Sequence, residues 1–351
     1  MGMIKLPLKS INFFKNNQEE IFRSGNLAEG IWNTDLSNKI KSITGSKYAV
    51  PTCSNGGGIV ALLQLYKEYF DRDKVMIQSN TMYGVKSMVK SGGCDLVGFI
   101  DCRLSTLMPS IEDIKNSIFS YKGNNDQLII LLSDIGGIIN PEIIEIAKFC
   151  RQNNIVLVED CAHSFGATNN GRYAGTFGDA GVYSFYATKA IFAGEGGVVI
   201  TNNDELGELM KRFTVYDRFD QKMPIGINIR PSELQALLIY SVVKEYQEII
   251  NDKKLIAKTY IDICNQLNIP YIDQDNKVSK GNYYKFVVYN KSEPIIDYLP
   301  KLKTKTSCVY DYSLAKKNNI KNNHVCLPIW YGQENSVTIS VVDEIRACFK
   351  K

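Results

Sequence analysis

The stretch LIILLSDIGGIINPEIIEIAKFCRQNNIVLVED, residues 128–160, decides the fold of this chain. It begins with an apolar run of strand length at 128–133 and ends with a second one at 155–159. Between the two, Pro141 begins a segment in which apolar residues recur at helical spacing, which predicts a helix with one buried stripe. Strand, helix and strand in this order indicate a parallel or mixed sheet that is covered by helices.

The same alternation extends from about residue 47 to residue 245, so the sequence predicts an α/β fold. Further strands are expected at 48–52, 74–78, 96–100, 181–185 and 198–201. A tight loop at 54–58 is expected to lead into a helix over 59–70. After Ser232, an expected N-cap with Gln235 three positions on, a long helix should run to about Ile250 and link two domains.

The C-terminal part is less regular. We expect a strand at 283–289, a Lys- and Asn-rich loop at 315–323 and a closing helix from about Val341.

Composition excludes several classes of function. The 351 residues are 44% apolar, and 41 basic against 37 acidic residues leave a net charge of +4 with no basic stripe, which argues against nucleic-acid binding. No apolar run reaches the roughly 18 residues of a membrane span, and the N-terminus lacks a signal peptide, so a cytoplasmic location is expected. Two histidines argue against a histidine-rich metal site, and we predict none.

A lysine and a strand-end acid carry the first chemical hypothesis. Lys189 stands between the strand at 181–185 and a glycine-rich turn, and Asp160 follows a buried strand, where ligands of α/β folds bind. An aldehyde cofactor such as pyridoxal phosphate (PLP) needs an amine for a Schiff base, an acid against its ring nitrogen and donors for its phosphate. Lys189, Asp160 and Ser184 are candidates for these roles. A surface lysine, a capping acid and an ordinary strand serine are the alternatives.

Three glycines, Gly56, Gly57 and Gly58, stand between a predicted strand and a predicted helix. N–H groups at the start of a helix attract phosphate, and glycine allows close approach. The segment lacks the Lys-Ser/Thr pair of a P-loop and the spacing of a dinucleotide fingerprint. A phosphate site and a plain flexible turn both fit these glycines.

Several motifs together are similar to one family, the DegT/DnrJ/EryC1/StrS aminotransferases. They are RSGNL at 23–27, VEDCAHSFGA at 158–167, GTFGDAG at 175–181, YSFYATK at 183–189 and GINIRPSELQ at 226–235. The resemblance covers roughly residues 15–250. It implies a PLP enzyme of the aspartate-aminotransferase fold (fold type I), with a large seven-stranded mixed-sheet domain at 1–245 and a smaller α+β domain at 246–351.

The resemblance assigns roles to individual residues. Lys189 would hold the aldehyde of PLP and Asp160 would pair with its ring nitrogen. The cofactor phosphate would be held by Ser184, Gly57 and Gly58.

Three further positions follow from the same motifs. Asn228 would reach the phosphate in the neighbouring subunit, which implies a homodimer with shared active sites. His163 would lie near the cofactor hydroxyl, and Met82 would stand where the family commonly has an aromatic residue against the ring.

The chain departs from the family pattern at several positions. Gly56-Gly57 replaces the usual Gly-Thr, which removes a hydroxyl contact to phosphate. Met82 cannot stack as an aromatic residue does, although its sulfur can pack on a ring and Tyr83 stands beside it. Pro231 replaces a common Met, and the C-terminal part lacks the family's His-Tyr substrate segment.

The activity that the resemblance implies is transamination. Glutamate would donate its amino group, the cofactor would pass through pyridoxamine phosphate, and a keto-sugar nucleotide would accept the group in amino-sugar biosynthesis. Arg218, Lys222 and Arg230 are candidates for a donor carboxylate or a nucleotide diphosphate. Tyr283 and Tyr284 are candidates for substrate contact or for packing.

Three other functions are alternatives to transamination of a keto-sugar nucleotide. A related sugar 3-dehydratase has histidine at the position of Lys189, so lysine disfavours dehydration. A non-enzymatic PLP-binding regulator would be indicated by a fused DNA-binding segment or by loss of Lys189 or Asp160, and the sequence shows neither. Transamination of a non-nucleotide ketone, such as a cyclitol or a small phosphorylated keto compound, stays open.

Overall fold

The computed structural model of the chain describes residues 5–216, 222–290, 309 and 320–349. Its strands, in chain order, are β1 Tyr48–Thr52, β2 Lys74–Gln78, β3 Asp95–Ile100, β4 Leu128–Ser133, β5 Val156–Cys161, β6 Thr168–Asn169, β7 Arg172–Tyr173, β8 Ala180–Ser184, β9 Gly197–Thr201, β10 Ser279–Lys280, β11 Phe286–Tyr289 and β12 His324–Leu327. Its α-helices are α1 Leu8–Ser24, α2 Ile31–Thr44, α3 Asn55–Phe70, α4 Tyr83–Ser91, α5 Ile111–Ser120, α6 Ile143–Gln152, α7 Asp204–Thr214, α8 Glu233–Val243, α9 Tyr246–Leu267, α10 Ile320–Asn323 and α11 Asn335–Phe349.

Seven strands form the central sheet, in the order β1-β9-β8-β5-β4-β2-β3. The pairs β3-β2, β2-β4, β4-β5 and β5-β8 are parallel, whereas β9 runs antiparallel to both β8 and β1. The predicted mixed sheet is therefore confirmed.

Each face of the sheet packs on its own hydrophobic core. Along β4, Ile130 and Leu132 belong to one core and Ile129 and Leu131 to the other, as the twofold alternation of a strand requires. Because both faces are buried, the strands read as continuous apolar runs in the sequence, which is why 128–133 was recognisable as a strand.

The glycines at 56–58 lie inside α3 rather than in a loop. The predicted start of this helix, at residue 59, was therefore wrong by about one helical turn. Ser54 caps the helix, because its Oγ accepts a hydrogen bond from the Gly57 amide at 3.0 Å. Gly58 faces the sheet, and a Cβ there would lie 2.9 Å from Val182 Cγ1 and from Val199 Cγ2. Close packing of α3 on the sheet thus requires glycine at 58.

The long helix expected after Ser232 is two helices, α8 and α9, which are separated at residues 244–245. Helix α9 packs its first turns on the main core through Ile249 and its later turns, from Ile256 onward, on a third core. That third core also contains residues of β11, β12 and α11. The domain division at residue 245 stays a prediction.

Other boundaries shift for local reasons. Strand β11 starts at Phe286 rather than at Tyr283, whose φ of +53° interrupts extended backbone. The closing helix starts at Asn335, six residues before Val341. Of the loop expected at 315–323, residues 320–323 form α10 and the rest lie outside the described residues. Among the helices of the described ranges, none is long and apolar enough to cross a membrane.

Candidate active site

Polar residues meet at one edge of the sheet because β4, β5 and β8 are parallel neighbours. Ser133 pairs in register with Asp160, and Asp160 with Val182, two residues before Ser184. Ser184 in turn pairs with Gly197, the last glycine of the turn that follows Lys189. The sheet therefore brings the predicted acid, the predicted phosphate donor and the lysine segment to one edge.

Asp160 is 5% exposed and makes a hydrogen-bonded network. Its Oδ1 accepts from Asn55 Nδ2 at 3.0 Å and from the Ala162 amide at 3.2 Å, and its Oδ2 accepts from Ser133 Oγ at 3.1 Å. Ser133 Oγ also lies 2.8 Å from Thr81 Oγ1. The carboxylate is thus held in one orientation by residues of α3, β4 and the segment after β2.

Burial raises the pKa of Asp160 above its usual range, although the Lys189 charge and the hydrogen bonds from Asn55, Ala162 and Ser133 act in the opposite direction. The hydrogen bonds and the Lys189 charge offset only part of the cost of burying the carboxylate, so a cationic partner would stabilise its charged form further. A protonated ring nitrogen is such a partner, so the donor set around Asp160 fits the pyridine of PLP.

Glu159 points to the opposite side of β5 and has a structural role. Its carboxylate accepts hydrogen bonds from the amides of Gly175 at 2.9 Å, Phe177 at 2.7 Å and Gly178 at 2.7 Å. The residue is 1% exposed, and burial raises its pKa to about 7 against these three bonds. Glu159 fixes the loop that precedes β8.

Replacing Glu159 by alanine should lower the free energy of unfolding by about 3–5 kcal/mol, because three amides, two of them buried, lose their acceptor and a cavity remains. Urea denaturation measures the change. Glu145→Ala, on the exposed side of α6, is the control and should stay within about 0.5 kcal/mol of wild type. Equal stability of the two variants would show that Glu159 does not hold the loop.

Lys189 is half-buried in the segment that follows β8. Its amide donates to the Tyr186 carbonyl at 2.9 Å, and its ammonium group lies 5.5 Å from the centroid of the Tyr284 ring. The segment closes on itself, since the amides of Phe185 and Ala187 donate to the carbonyls of Gly196 and Gly194, each at 2.9 Å.

Gln235 fixes the far side of this turn. The sequence suggested a capping box with Ser232, and Ser232 Oγ does accept from the Gln235 amide at 3.3 Å. The Gln235 side chain, however, donates to the carbonyls of Ala193, at 2.9 Å, and Glu195. It therefore ties the lysine segment to α8 instead of completing the box.

His163 is buried, with its ring centroid 4.3 Å from that of Tyr284. Burial, and next the charges of Lys189 and Lys285, hold its pKa well below the usual value, so the imidazole is neutral at physiological pH. Of the two candidate tyrosines, Tyr283 is packed in the third core, whereas Tyr284 is only partly buried and is near both His163 and Lys189.

The remaining cofactor candidates lie around the start of two helices. The Gly57 amide bonds to Ser54 Oγ, and the Gly58 amide bonds to the Ser54 carbonyl at 3.1 Å. A phosphate contact by these two amides stays a prediction. Both amides would then donate to the phosphate as well as to Ser54. Met82 is 40% exposed and Tyr83 56% exposed at the start of α4, so both side chains are accessible. Whether Met82 or Tyr83 lies against the cofactor ring stays open.

The segment at 226–231 lies beside the start of α3, since the Cys53 amide donates to the Ile229 carbonyl. Asn228 is exposed in the single chain. Arg230 forms an ion pair with Glu29, with Nε and Oε1 3.0 Å apart, and donates to the Thr214 carbonyl at 3.2 Å. Its guanidinium thus joins the N-terminal segment to α7.

Lys222 and Arg218 are the other two basic candidates for substrate binding. Lys222 is exposed, and Arg218 lies outside the described residues.

One protein family matches almost the whole of this chain. The profile of the DegT/DnrJ/EryC1/StrS aminotransferase family matches residues 9–345. GDP-perosamine synthase of Escherichia coli O157:H7 is 28% identical over 265 residues, which are 74% of this chain and 69% of that enzyme. The dTDP-3-amino-3,4,6-trideoxy-alpha-D-glucose transaminase of Micromonospora megalomicea subsp. nigra is 31% identical over 158 residues, 44% of this chain and 42% of that enzyme.

A DegT DnrJ EryC1 StrS aminotransferase from Brucella abortus superposes with a TM-score of 0.87 at 16% identity, and the superposition covers 100% of both chains. This likeness confirms the predicted fold, and the profile match extends the motifs around Asp160 and Lys189 to almost the full sequence. The chain therefore belongs to the DegT/DnrJ/EryC1/StrS aminotransferase family.

Proposed function

We propose that this protein transfers an amino group from glutamate to the ketone of a nucleotide-linked sugar, with PLP held at Lys189. The observation that carries the proposal is the buried, network-held carboxylate of Asp160 near Lys189 at the carboxyl edge of the sheet. The names of two relatives, a perosamine synthase and an amino-deoxyglucose transaminase, support a sugar nucleotide as acceptor.

The residues present suit this cofactor. When bound, PLP supplies an aldehyde that carries the amino group and a ring that accepts electron density from the substrate. Asp160 would keep the ring nitrogen protonated, and Asn55 and Ser133 would hold its carboxylate in place. Ser184 and the start of α3 would hold the phosphate.

Lys189 would act as the proton carrier of the reaction. Its free Nζ would take a proton from the donor's α-carbon and would deliver one to the former aldehyde carbon of the cofactor. The same atom serves the acceptor half-reaction in the reverse direction. Neutral His163, packed on Tyr284, adds no positive charge beside the reacting atoms.

Half-reactions test the proposal. Purified protein loaded with PLP should lose the absorption of its lysine-bound aldehyde when glutamate is added, and should regain it with a keto-sugar nucleotide. A panel of amino donors, keto-sugar nucleotides and cyclitol ketones identifies the acceptor. If only a cyclitol ketone restored the absorption, the acceptor would be that ketone and not a sugar nucleotide. The absence of any spectral change would refute transamination.

We also propose a homodimer in which Asn228 completes the partner's phosphate site. Its exposure in the single chain supports this placement. Mixing two inactive variants, Lys189→Ala and Asn228→Ala, should restore up to about a quarter of wild-type activity, because a hybrid dimer contains one intact site. Hybrid dimers that form by mass spectrometry but show no activity would exclude the shared site.

A further inference from the structure

Asn282 is a fully buried amide that bonds two parts of the site at once. Its Nδ2 donates to the His163 carbonyl at 2.8 Å and to the Phe165 carbonyl at 2.9 Å. Its Oδ1 accepts from the Tyr284 amide at 2.9 Å. Both N–H groups and the carbonyl oxygen of this side chain are therefore used, as the burial of an amide requires.

The main chain around Asn282 also packs closely on the site. The Asn282 amide donates to the Gly137 carbonyl at 2.9 Å. A Cβ at Gly137 would lie only 2.6 Å from the Tyr284 nitrogen, so this approach of the two segments requires glycine. Asn282 thus lies between the loop that follows β4 and the loop that follows β5, and the ends of these two strands form the candidate site.

Two of the residues that Asn282 bonds form a ring pair. The imidazole of His163 and the ring of Tyr284 have centroids 4.3 Å apart, and their planes are inclined by 40°. Lys189 Nζ lies 5.5 Å from the Tyr284 centroid. Asn282 bonds the main chain of both ring residues, so it fixes the point from which each ring extends. Residues of a functional site need placement to within about 0.5 Å, which supporting side chains with locked positions provide.

A second buried amide in the same segment has different partners. Gln274 is 2% exposed. Its side chain makes three hydrogen bonds, at 3.3, 2.6 and 3.0 Å, to main-chain groups of Gly136, Lys285 and Tyr283. Gln274 therefore makes as many bonds as Asn282, but none of these three reaches the loop after β5. The pair of amides makes it possible to separate a loss of stability from a loss of the His163 contact.

We propose that Asn282 is a positioning residue of the active site, which holds His163 and Tyr284 as a ring pair beside Lys189. The C-terminal part of the chain thereby sets the geometry of a loop that follows a strand of the central sheet. The kinetic consequence of this inference rests on the proposed transamination, in which His163 lies near the cofactor. The ring pair itself is a property of the protein without PLP and can be measured there.

Histidine NMR measures the ring pair directly, because the chain has only two histidines. The second, His324, is buried in β12 and serves as the internal reference. In PLP-free Tyr284→Leu, the His163 ring signals should move, because the shielding by the tyrosine ring is lost. Asn282→Ala should move them in the same direction, whereas the control Gln274→Ala should leave them near the wild-type position. The His324 signals should stay in place in all three variants.

Steady-state kinetics at saturating PLP measure the consequence for amino transfer. Asn282→Ala should lower kcat and kcat/KM for glutamate together by about tenfold, because a displaced ring pair disturbs the reacting geometry more than the initial binding. Gln274→Ala, which loses as many hydrogen bonds, should stay within about twofold of wild type in both quantities. Urea denaturation checks that the two variants lose a similar amount of stability.

Unchanged His163 signals in folded Asn282→Ala would overturn the inference. An equal loss of kcat in Asn282→Ala and Gln274→Ala would overturn it too, because Asn282 would then only stabilise the fold. If the alanine variant does not fold, Asn282→Ser, which keeps a hydroxyl donor, provides the same two readouts. If no amino donor supports transamination by wild type, the proposed function fails, and the His163 signals of the PLP-free protein still decide whether Asn282 holds the ring pair.

Discussion

Replacement of Lys189 by alanine should reduce amino transfer by about 10³-fold or more, because one change removes both the proposed cofactor anchor and the proposed proton carrier. The position supports this expectation, since Lys189 is half-buried, faces Tyr284 and lies close enough to Asp160 for their charges to interact. Single-turnover kinetics with glutamate measure the rate. Borohydride reduction followed by mass spectrometry measures the anchor, and the cofactor should stay attached to wild type and be lost from the variant.

Lys258→Ala is the matched control, because Lys258 is an exposed lysine on α9. It should keep wild-type rates and a covalently reducible cofactor. If Lys189→Ala still retained the cofactor after borohydride treatment, another lysine would be the anchor. The neighbouring Lys285, which faces the same tyrosine, would then be the first to test.

The strand-end pair Glu159-Asp160 shows what the sequence can predict about a site. A strand alternates its side chains, so only one of two adjacent acids can face a ligand at the edge of the sheet. In the structure, Asp160 accepts hydrogen bonds from Asn55 and Ser133, whereas Glu159 accepts from three backbone amides. Strand periodicity predicted that the two acids have different surroundings, and the family resemblance predicted which one faces the cofactor.

The glycines at 56–58 show where local reasoning stops. Their propensity favours a loop, yet they form the first turn of α3, because Ser54 caps the helix and the space at Gly58 admits no Cβ. The cap is local, whereas the contact of Gly58 with the sheet is tertiary packing. Neither the valines of β8 and β9 nor their distance from α3 can be read from the glycine stretch itself.

The partners of Asp160 were missed for a related reason. Asn55, Ser133 and Thr81 come from three separate segments, and only the sheet order brings them together. A weak signal existed, since Ser133 is a polar residue that directly ends an apolar strand and Asn55 directly follows a capping serine. Polar residues at the ends of predicted parallel strands therefore indicate candidate members of a site at that edge of the sheet.

Asp160→Asn should lower the rate of amino transfer by about 10²–10³-fold while leaving the fold intact. An asparagine can keep the network, because its Oδ1 still accepts from Asn55 and Ala162 while its amide donates to Ser133 Oγ, whose hydroxyl can turn toward Thr81. The variant thus removes charge and little else. Ser133→Ala is the control, because it keeps the charge and removes one hydrogen bond, and it should lower the rate by no more than about tenfold.

The stability of the PLP-free protein gives the same variant a second readout. Burial raises the pKa of Asp160 in the folded state, so wild type loses stability as pH rises from the unfolded value of 3.8 through the higher folded pKa. Asp160→Asn lacks this loss, and its stability relative to wild type should therefore increase over that pH range in urea denaturation. A difference that is independent of pH would mean that the carboxylate is already fully compensated without a cofactor. The proposal that Asp160 needs the protonated ring nitrogen as a cationic partner would then be refuted.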